Sequence, residues 1–213
     1  MTAGNLNYLT HLYVAGNQLT SFSGTGLTSL QNLDLSSNQF ASFDGTGLTN
    51  LTWLHLGYNQ LSSFSGAGLP NLVSVSLFFN QFTSFTNIDT TGINNLQSLY
   101  LQNNLLSSFS DIGLTSLTSL YLGANQLISF DGSNMSNLQT LDLASNQLTS
   151  FDGTGMYSLS SLSLNSNLLT SFSGGTDLSN LSSLILSSNQ LISFDGTGMS
   201  YLQNLDISYN QLT

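Results

Sequence analysis

The sequence predicts a parallel β-solenoid of about ten coils with almost no helix. One asparagine recurs in the same local setting at Asn17, Asn38, Asn59, Asn80, Asn104, Asn125, Asn146, Asn167, Asn189 and Asn210, with spacings of 21, 21, 21, 24, 21, 21, 21, 22 and 21 residues. The same apolar pattern surrounds each copy, as in Leu30, Leu33 and Leu35 before Asn38, and Phe40 and Phe43 after it. The return limb reads close to S-F-[DS]-G-T-G-L, too short and too rich in glycine to carry a helix. The chain also lacks Glu, Lys and Arg, three of the better helix formers. Self-similarity at a period of this size marks an architecture of stacked units, because one unit cannot bury its apolar face alone.

The elements of one coil follow in order. In L-x-L the side chains alternate across a strand, so both leucines point to one face. With the leucine before them and the phenylalanine beyond the asparagine they form an apolar wedge that only stacking can bury. Strands of consecutive coils then lie about 4.8 Å apart in one parallel sheet. The asparagine is polar among apolar neighbours and must be hydrogen-bonded there; its amide has the donors and acceptor to satisfy adjacent loop backbone. Phe22, Phe43, Phe64, Phe85, Phe109, Phe130, Phe151, Phe172 and Phe194 form an unbroken stacked column, each preceded by serine. Two copies depart from the period: Phe85-TNIDTTG-Ile93 carries three extra residues and Phe172-SGGTD-Leu178 one. Both insertions are expected as bumps on the convex side, since surface loops lengthen at little cost.

The pattern L-x-x-L-x-L-x-x-N-x-L, repeated over nearly the whole chain, resembles the leucine-rich repeat family. The resemblance implies a leucine-rich-repeat solenoid, a right-handed superhelix with its parallel sheet on the concave face. It also implies a structural role for the asparagine column. We expect a single domain over residues 1–213 without recognisable caps.

Composition narrows the function. The chain has 213 residues, no Lys or Arg, no Cys, and ten acidic residues, all aspartate, for a net charge of −10. Nucleic acid and anionic membranes are met through Lys and Arg, so neither is an expected partner. No apolar run approaches the ~20 residues that span a bilayer, and the start, MTAGNLNYLT, lacks the features of a signal peptide. There is no G-x-S-x-G, H-E-x-x-H or phosphate-binding loop. His11 and His55 stand in different columns two coils apart, too far to share a metal ion. The D-G-T-G turns at Asp44, Asp152 and Asp195 and the D-G-S-N turn at Asp131 supply too few oxygens for calcium. No catalytic residue, metal or cofactor is expected, and the chain reads as a non-enzyme.

What varies on the strands suggests a binding surface. The x of L-x-L is expected to face solvent on the concave sheet and reads Tyr13, Asp34, His55, Ser76, Tyr100, Tyr121, Asp142, Ser163, Ile185 and Asp206. Asp34 and His55 are adjacent in this column and close enough to pair. Bulky residues gather in the first six coils: Tyr13, Trp53, His55, Tyr58, Phe78, Phe79, Tyr100 and Tyr121. An exposed aromatic patch marks an interface, and Trp and Tyr combine area with a polar handle. Such rings also stabilise a sheet by pairing across strands.

The ends carry a further expectation. With the four inserted residues set aside, the chain is ten coils less one residue, and repeat phase places Met1 in the phenylalanine column. Uncapped coils in phase could continue one another between molecules, through Leu12 and Val14 at one end and Leu205 and Ile207 at the other. Such a head-to-tail contact builds a filament unless it closes into a ring. The expected function is therefore an extracellular or cell-surface structural or adhesive protein that associates with itself. The alternatives are a monomeric module gripping a protein or glycan through the aromatic patch, and an ice-binding protein using the hydroxyl stripe Thr20, Ser62, Thr83, Thr149 and Thr170.

Overall fold

A computed structural model describes residues 6–110, 113–172 and 176–213. The chain forms two compact units, residues 1–104 and 105–213. Met1, expected in the phenylalanine column, and residues 173–175 of the second insertion lie outside the described residues.

The first unit contains β1 (His11–Tyr13), β2 (Asn32–Asp34), β3 (Trp53–His55), β4 (Phe64–Ser65), β5 (Ser74–Ser76), β6 (Ile88–Asp89) and β7 (Ser98–Tyr100). Five of them form a parallel sheet in the order β1-β2-β3-β5-β7, one strand per coil. The second contains β8 (Ser108–Ser110), β9 (Ser119–Tyr121), β10 (Ser129–Asp131), β11 (Thr140–Asp142), β12 (Ser161–Ser163), β13 (Ser183–Ile185) and β14 (Asn204–Asp206). Its parallel sheet runs β9-β11-β12-β13-β14. Register is uninterrupted within each, Leu33 opposite Leu54 and Leu162 opposite Leu184. One turn of 3-10 helix, Phe85–Asn87, is the helical element among the described residues. The architecture is the helix-poor parallel solenoid that the repeat predicts.

The leucine wedge is the core. In the coil around Asn38, Leu27, Leu30, Leu33, Leu35 and Phe40 are fully buried. The asparagines work as expected. Asn59 accepts from Phe40 N at 3.0 Å and donates through Nδ2 to Leu35 O, Leu56 O and Gly57 O at 3.1, 3.1 and 3.2 Å. Each side chain thus joins its own turn to the preceding coil, and the arrangement recurs at Asn80 in the first unit and Asn146 in the second.

Two features escaped the sequence reading. The residue before the ladder asparagine adopts a left-handed backbone in coil after coil, with φ from 50° to 58° at Ser37, Tyr58, Phe79, Asn103, Ala124, Ser145, Ser166, Ser188 and Tyr209. A second, outer set of asparagines also binds the preceding coil: Asn50 donates to Thr28 O, Asn71 to Thr49 O, Asn95 to Pro70 O, Asn137 to Thr115 O and Asn180 to Tyr157 O, at 2.6 to 3.1 Å. In the D-G-T-G turns the second glycine is left-handed. Gly47 has φ of 87°, and a Cβ there would sit 3.2 Å from Gly24 O.

The phenylalanine column needs one correction. Phe43 stacks on Phe64 with centroids 6.5 Å apart, and Phe109, Phe130, Phe151, Phe172 and Phe194 stack in succession at 5.3 to 6.3 Å. The column is not unbroken: Ile88, not Phe85, pairs with Phe64. The three extra residues wind Phe85–Asn87 into the 3-10 turn, capped by Ser84, and deliver Ile88 into the buried position. Phe85 is buried as well, so this insertion adds apolar packing as well as surface loop.

Candidate functional site

The strand face of the first unit is built from two rows. The x positions of β1, β2, β3, β5 and β7 align as Tyr13, Asp34, His55, Ser76 and Tyr100. Beyond the strands, Gly57, Phe78 and Gln102 hold equivalent positions in successive coils, followed by left-handed Tyr58, Phe79 and Asn103. The fold aims these side chains outward because the flanking leucines point inward.

Five of the aromatic and imidazole candidates meet in one chain of ring contacts. Trp53 meets His55 edge-on at 5.7 Å, and His55 meets Phe78 at 5.1 Å. Phe78 in turn meets Tyr58 edge-on at 5.4 Å. Tyr58 and Phe79 lie parallel, 4.5 Å apart and inclined by 10°. Left-handed backbone is unfavourable for a bulky side chain. It is imposed on every coil, and Tyr58 and Phe79 occupy it while remaining 51% and 42% exposed. Core packing therefore does not account for the rings at those two positions.

The cluster closes over a glycine. A Cβ at Gly57 would fall 2.8 Å from His55 Nε2 and 3.0 Å from Phe78 Cε2. Only the bare backbone lets the imidazole and the phenyl ring settle against each other there.

His55 Nδ1 stands 3.6 Å from Asp34 Oδ1, the pair expected from their shared column. Burial depresses the imidazole below its ordinary value, against the opposing pull of the Asp34 charge. The folded state consequently binds fewer protons than the unfolded chain as pH falls from 6.5, the ordinary imidazole value, toward the depressed one. Stability contributed here is present above 6.5 and declines through that window on acidification. An NMR titration of the His55 ring is expected to show a midpoint below 6.5, the ordinary imidazole value; a midpoint above 6.5 would mean the carboxylate outweighs burial. Asp34 Oδ1 also accepts from Ser36 N at 2.9 Å, which holds the carboxylate against its own turn. Among the described residues, the buried side-chain polar atoms without a hydrogen-bond partner are His55 Nε2 and Gln102 Oε1. Both belong to these two rows, His55 inside the ring chain and Gln102 one coil beyond Phe78 in its row.

The remaining candidates occupy other positions of the row or differ from expectation. Tyr13 is 62% exposed and meets His11 at 6.3 Å, with Asp34 between it and His55 in the row. Tyr100 is half-buried on β7, and Tyr121 is half-buried on β9 of the second unit, beside Asp142. The x column is not uniformly open to solvent. Ser76 is buried and Asp34 and His55 are half-buried, because strand spacing is too narrow for large rings to stand without covering shorter neighbours. On β11 burial raises the Asp142 carboxyl above its ordinary value, opposed by hydrogen bonds from Ala144 and Ser163. In the glycine turns Asp44 accepts from Thr46 N and Oγ1 at 2.9 and 2.6 Å, and Asp152 from Thr154 likewise. These bonds hold both carboxyls below the usual range and direct them to their own loops. Among the described residues no three of His, Cys, Asp and Glu gather as metal ligands.

The sequence profile described as "Leucine Rich repeats (2 copies)" matches residues 9–45, 49–90, 94–134 and 136–179. No curated protein matches the chain in sequence. Solved structures do resemble it. A leucine-rich-repeat protein of Leptospira interrogans is 27% identical with a TM-score of 0.78, over 97% of this chain and 62% of that one. The functional domain of InlJ from Listeria monocytogenes is 25% identical with a TM-score of 0.72, over 96% and 49%. TLR13, solved as a complex with ssRNA13, is 25% identical with a TM-score of 0.81, over 96% and 33%. The chain thus spans about half of the InlJ domain and a third of TLR13. Repeat, register, asparagine ladder and profile agree: the chain belongs to the leucine-rich repeat family.

Proposed function

We propose that this protein is a non-enzymatic recognition module that binds a partner protein on the strand face of its first unit. Trp53, His55, Tyr58, Phe78 and Phe79 form the contact surface, with Tyr13 and Tyr100 as outlying positions of the same unit. The carrying observation is the parallel Tyr58–Phe79 pair, two large rings held exposed on backbone that disfavours them. Trp and Tyr are the residues most enriched where a few side chains supply most of the binding energy. The family resemblance supports a role in protein interaction, and we place that role outside the cell. No helix among the described residues is long and apolar enough to cross a membrane. Replacing Trp53 and Phe79 with serine is expected to abolish capture of the partner while circular dichroism and the unfolding midpoint stay close to wild type. Retained capture by a folded double variant would overturn the reading.

Head-to-tail self-association is a second reading, favoured by the outermost coils. Leu205 is 39% exposed, and Leu12, Val14 and Ile207 are half-buried, whereas their equivalents Leu33 and Leu35 are fully buried. A second copy could continue the parallel sheet over these edges in register. Sedimentation of the 213-residue chain is expected to show mass rising with concentration, and Leu205→Asp to suppress it. A monomer at every concentration counts against this reading.

A further inference from the structure

The aromatic surface has a chemistry that narrows its partner. The chain carries no Lys or Arg, so apart from the imidazole of His55 no cationic side chain of its own serves the exposed rings or the Asp34 carboxylate. The faces of aromatic rings attract guanidinium and ammonium groups, arginine most of all. Asp34 flanks the ring chain beside His55: its Oδ1 lies 3.6 Å from His55 Nδ1 and accepts from Ser36 N at 2.9 Å, which leaves Oδ2 for an incoming donor. At the other end the Tyr58–Phe79 pair exposes ring surface. A net charge of −10 draws basic partners toward the molecule at a distance and repels acidic ones.

We infer that the partner segment received by the Trp53–His55–Phe78–Tyr58–Phe79 surface is basic, bearing arginine whose guanidinium lies against the exposed rings and toward Asp34. Aromatic faces take the planar cation, and the nearby carboxylate takes its N–H donors. This inference rests on the recognition reading above and names the chemistry of its ligand.

The test uses the full chain and two blocked hexapeptides of neutral sequence, one with two arginines and one with citrulline at the same places. Citrulline keeps the shape and most donors but loses the charge. Titration followed by the Trp53 indole and His55 ring resonances is expected to show saturable shifts with the arginine peptide and at least about ten-fold weaker binding with citrulline, the size of one lost charged contact. Asp34→Asn is expected to weaken the arginine peptide about five-fold. Asp152→Asn, a turn aspartate of the second unit, is expected to leave it unchanged. Equal binding of the two peptides overturns the inference, as does an equal loss in Asp34→Asn and Asp152→Asn, which would show diffuse charge attraction. If neither peptide shifts these resonances but a neutral oligosaccharide does, the cationic ligand is wrong while the recognition surface stands. If the arginine peptide still shifts the His55 ring resonances to the same extent in Trp53→Ser with Phe79→Ser, the surface itself is wrong.

Discussion

Replacing Asn80 with alanine is expected to lower the stability of the protein by about 3 to 5 kcal/mol, a loss far larger than that of a surface asparagine. Asn80 is buried, accepts from Leu61 N at 2.9 Å and donates to Leu56 O, Leu77 O and Phe78 O at 3.0, 3.0 and 3.3 Å. Alanine removes every one of these bonds and admits no obvious replacement. Each buried polar group left without a partner costs about 1–3 kcal/mol, so two orphans already reach the expected range. The comparison is Asn50→Ala: Asn50 is exposed and makes a single bond, to Thr28 O, and its loss should cost under about 1 kcal/mol. Urea unfolding of both variants measures the difference. Similar midpoints would mean that water enters the ladder and replaces the amide. Because neighbouring coils share these bonds, the damage should spread beyond one repeat, as in other nearest-neighbour stacks.

Phe40→Ala is expected to cost about 3 to 5 kcal/mol through a different mechanism. Phe40 is fully buried, among the largest such side chains, and its backbone N–H is held by Asn59 Oδ1 at 3.0 Å. Truncation removes apolar contact and leaves a cavity that cannot collapse easily, because backbone bonds from coil to coil hold the walls. Phe43→Ala tests the argument from within: Phe43 is half-buried in the stacked column, and its truncation should cost clearly less. Equal losses would mean that ring stacking, rather than burial, governs the stability of the coil. Phe40→Ala replaces no residue of the ring cluster and should lower stability, whereas Trp53→Ser with Phe79→Ser should spare stability and remove binding. Opposite effects on the two measurements separate scaffold from surface.

The coil itself was legible in the chain because its causes are local and repeated. Leucine alternation specifies which residues enter the core. The asparagine had to be bonded wherever it lay among leucines, and the ladder bears this out at Asn59 and Asn80. The Asp34–His55 pair was readable for the same reason, since equal phase in adjacent coils places residues side by side. The insertion after Phe85 was not readable in detail. Its length pointed to a loop, but which residue would face Phe64 depended on how the 3-10 turn delivered Ile88. The left-handed position before each asparagine also went unseen, because Ser, Ala, Asn, Tyr and Phe share no sequence signal there.

The candidate site divides in the same way. That bulky residues crowd the early strands was plain from their order in the chain. Which of them touch was settled by packing: Trp53, His55, Phe78, Tyr58 and Phe79 connect through the space above Gly57, while Tyr13 turns to His11. The sequence by itself determined the repeat, its parallel strands and its buried asparagines, since side-chain alternation and the need to satisfy buried polar groups act over a few residues. Tertiary structure alone decided which rings join, how far they are exposed and which acceptors go unpaired, because those depend on side chains from coils more than twenty residues apart competing for one surface.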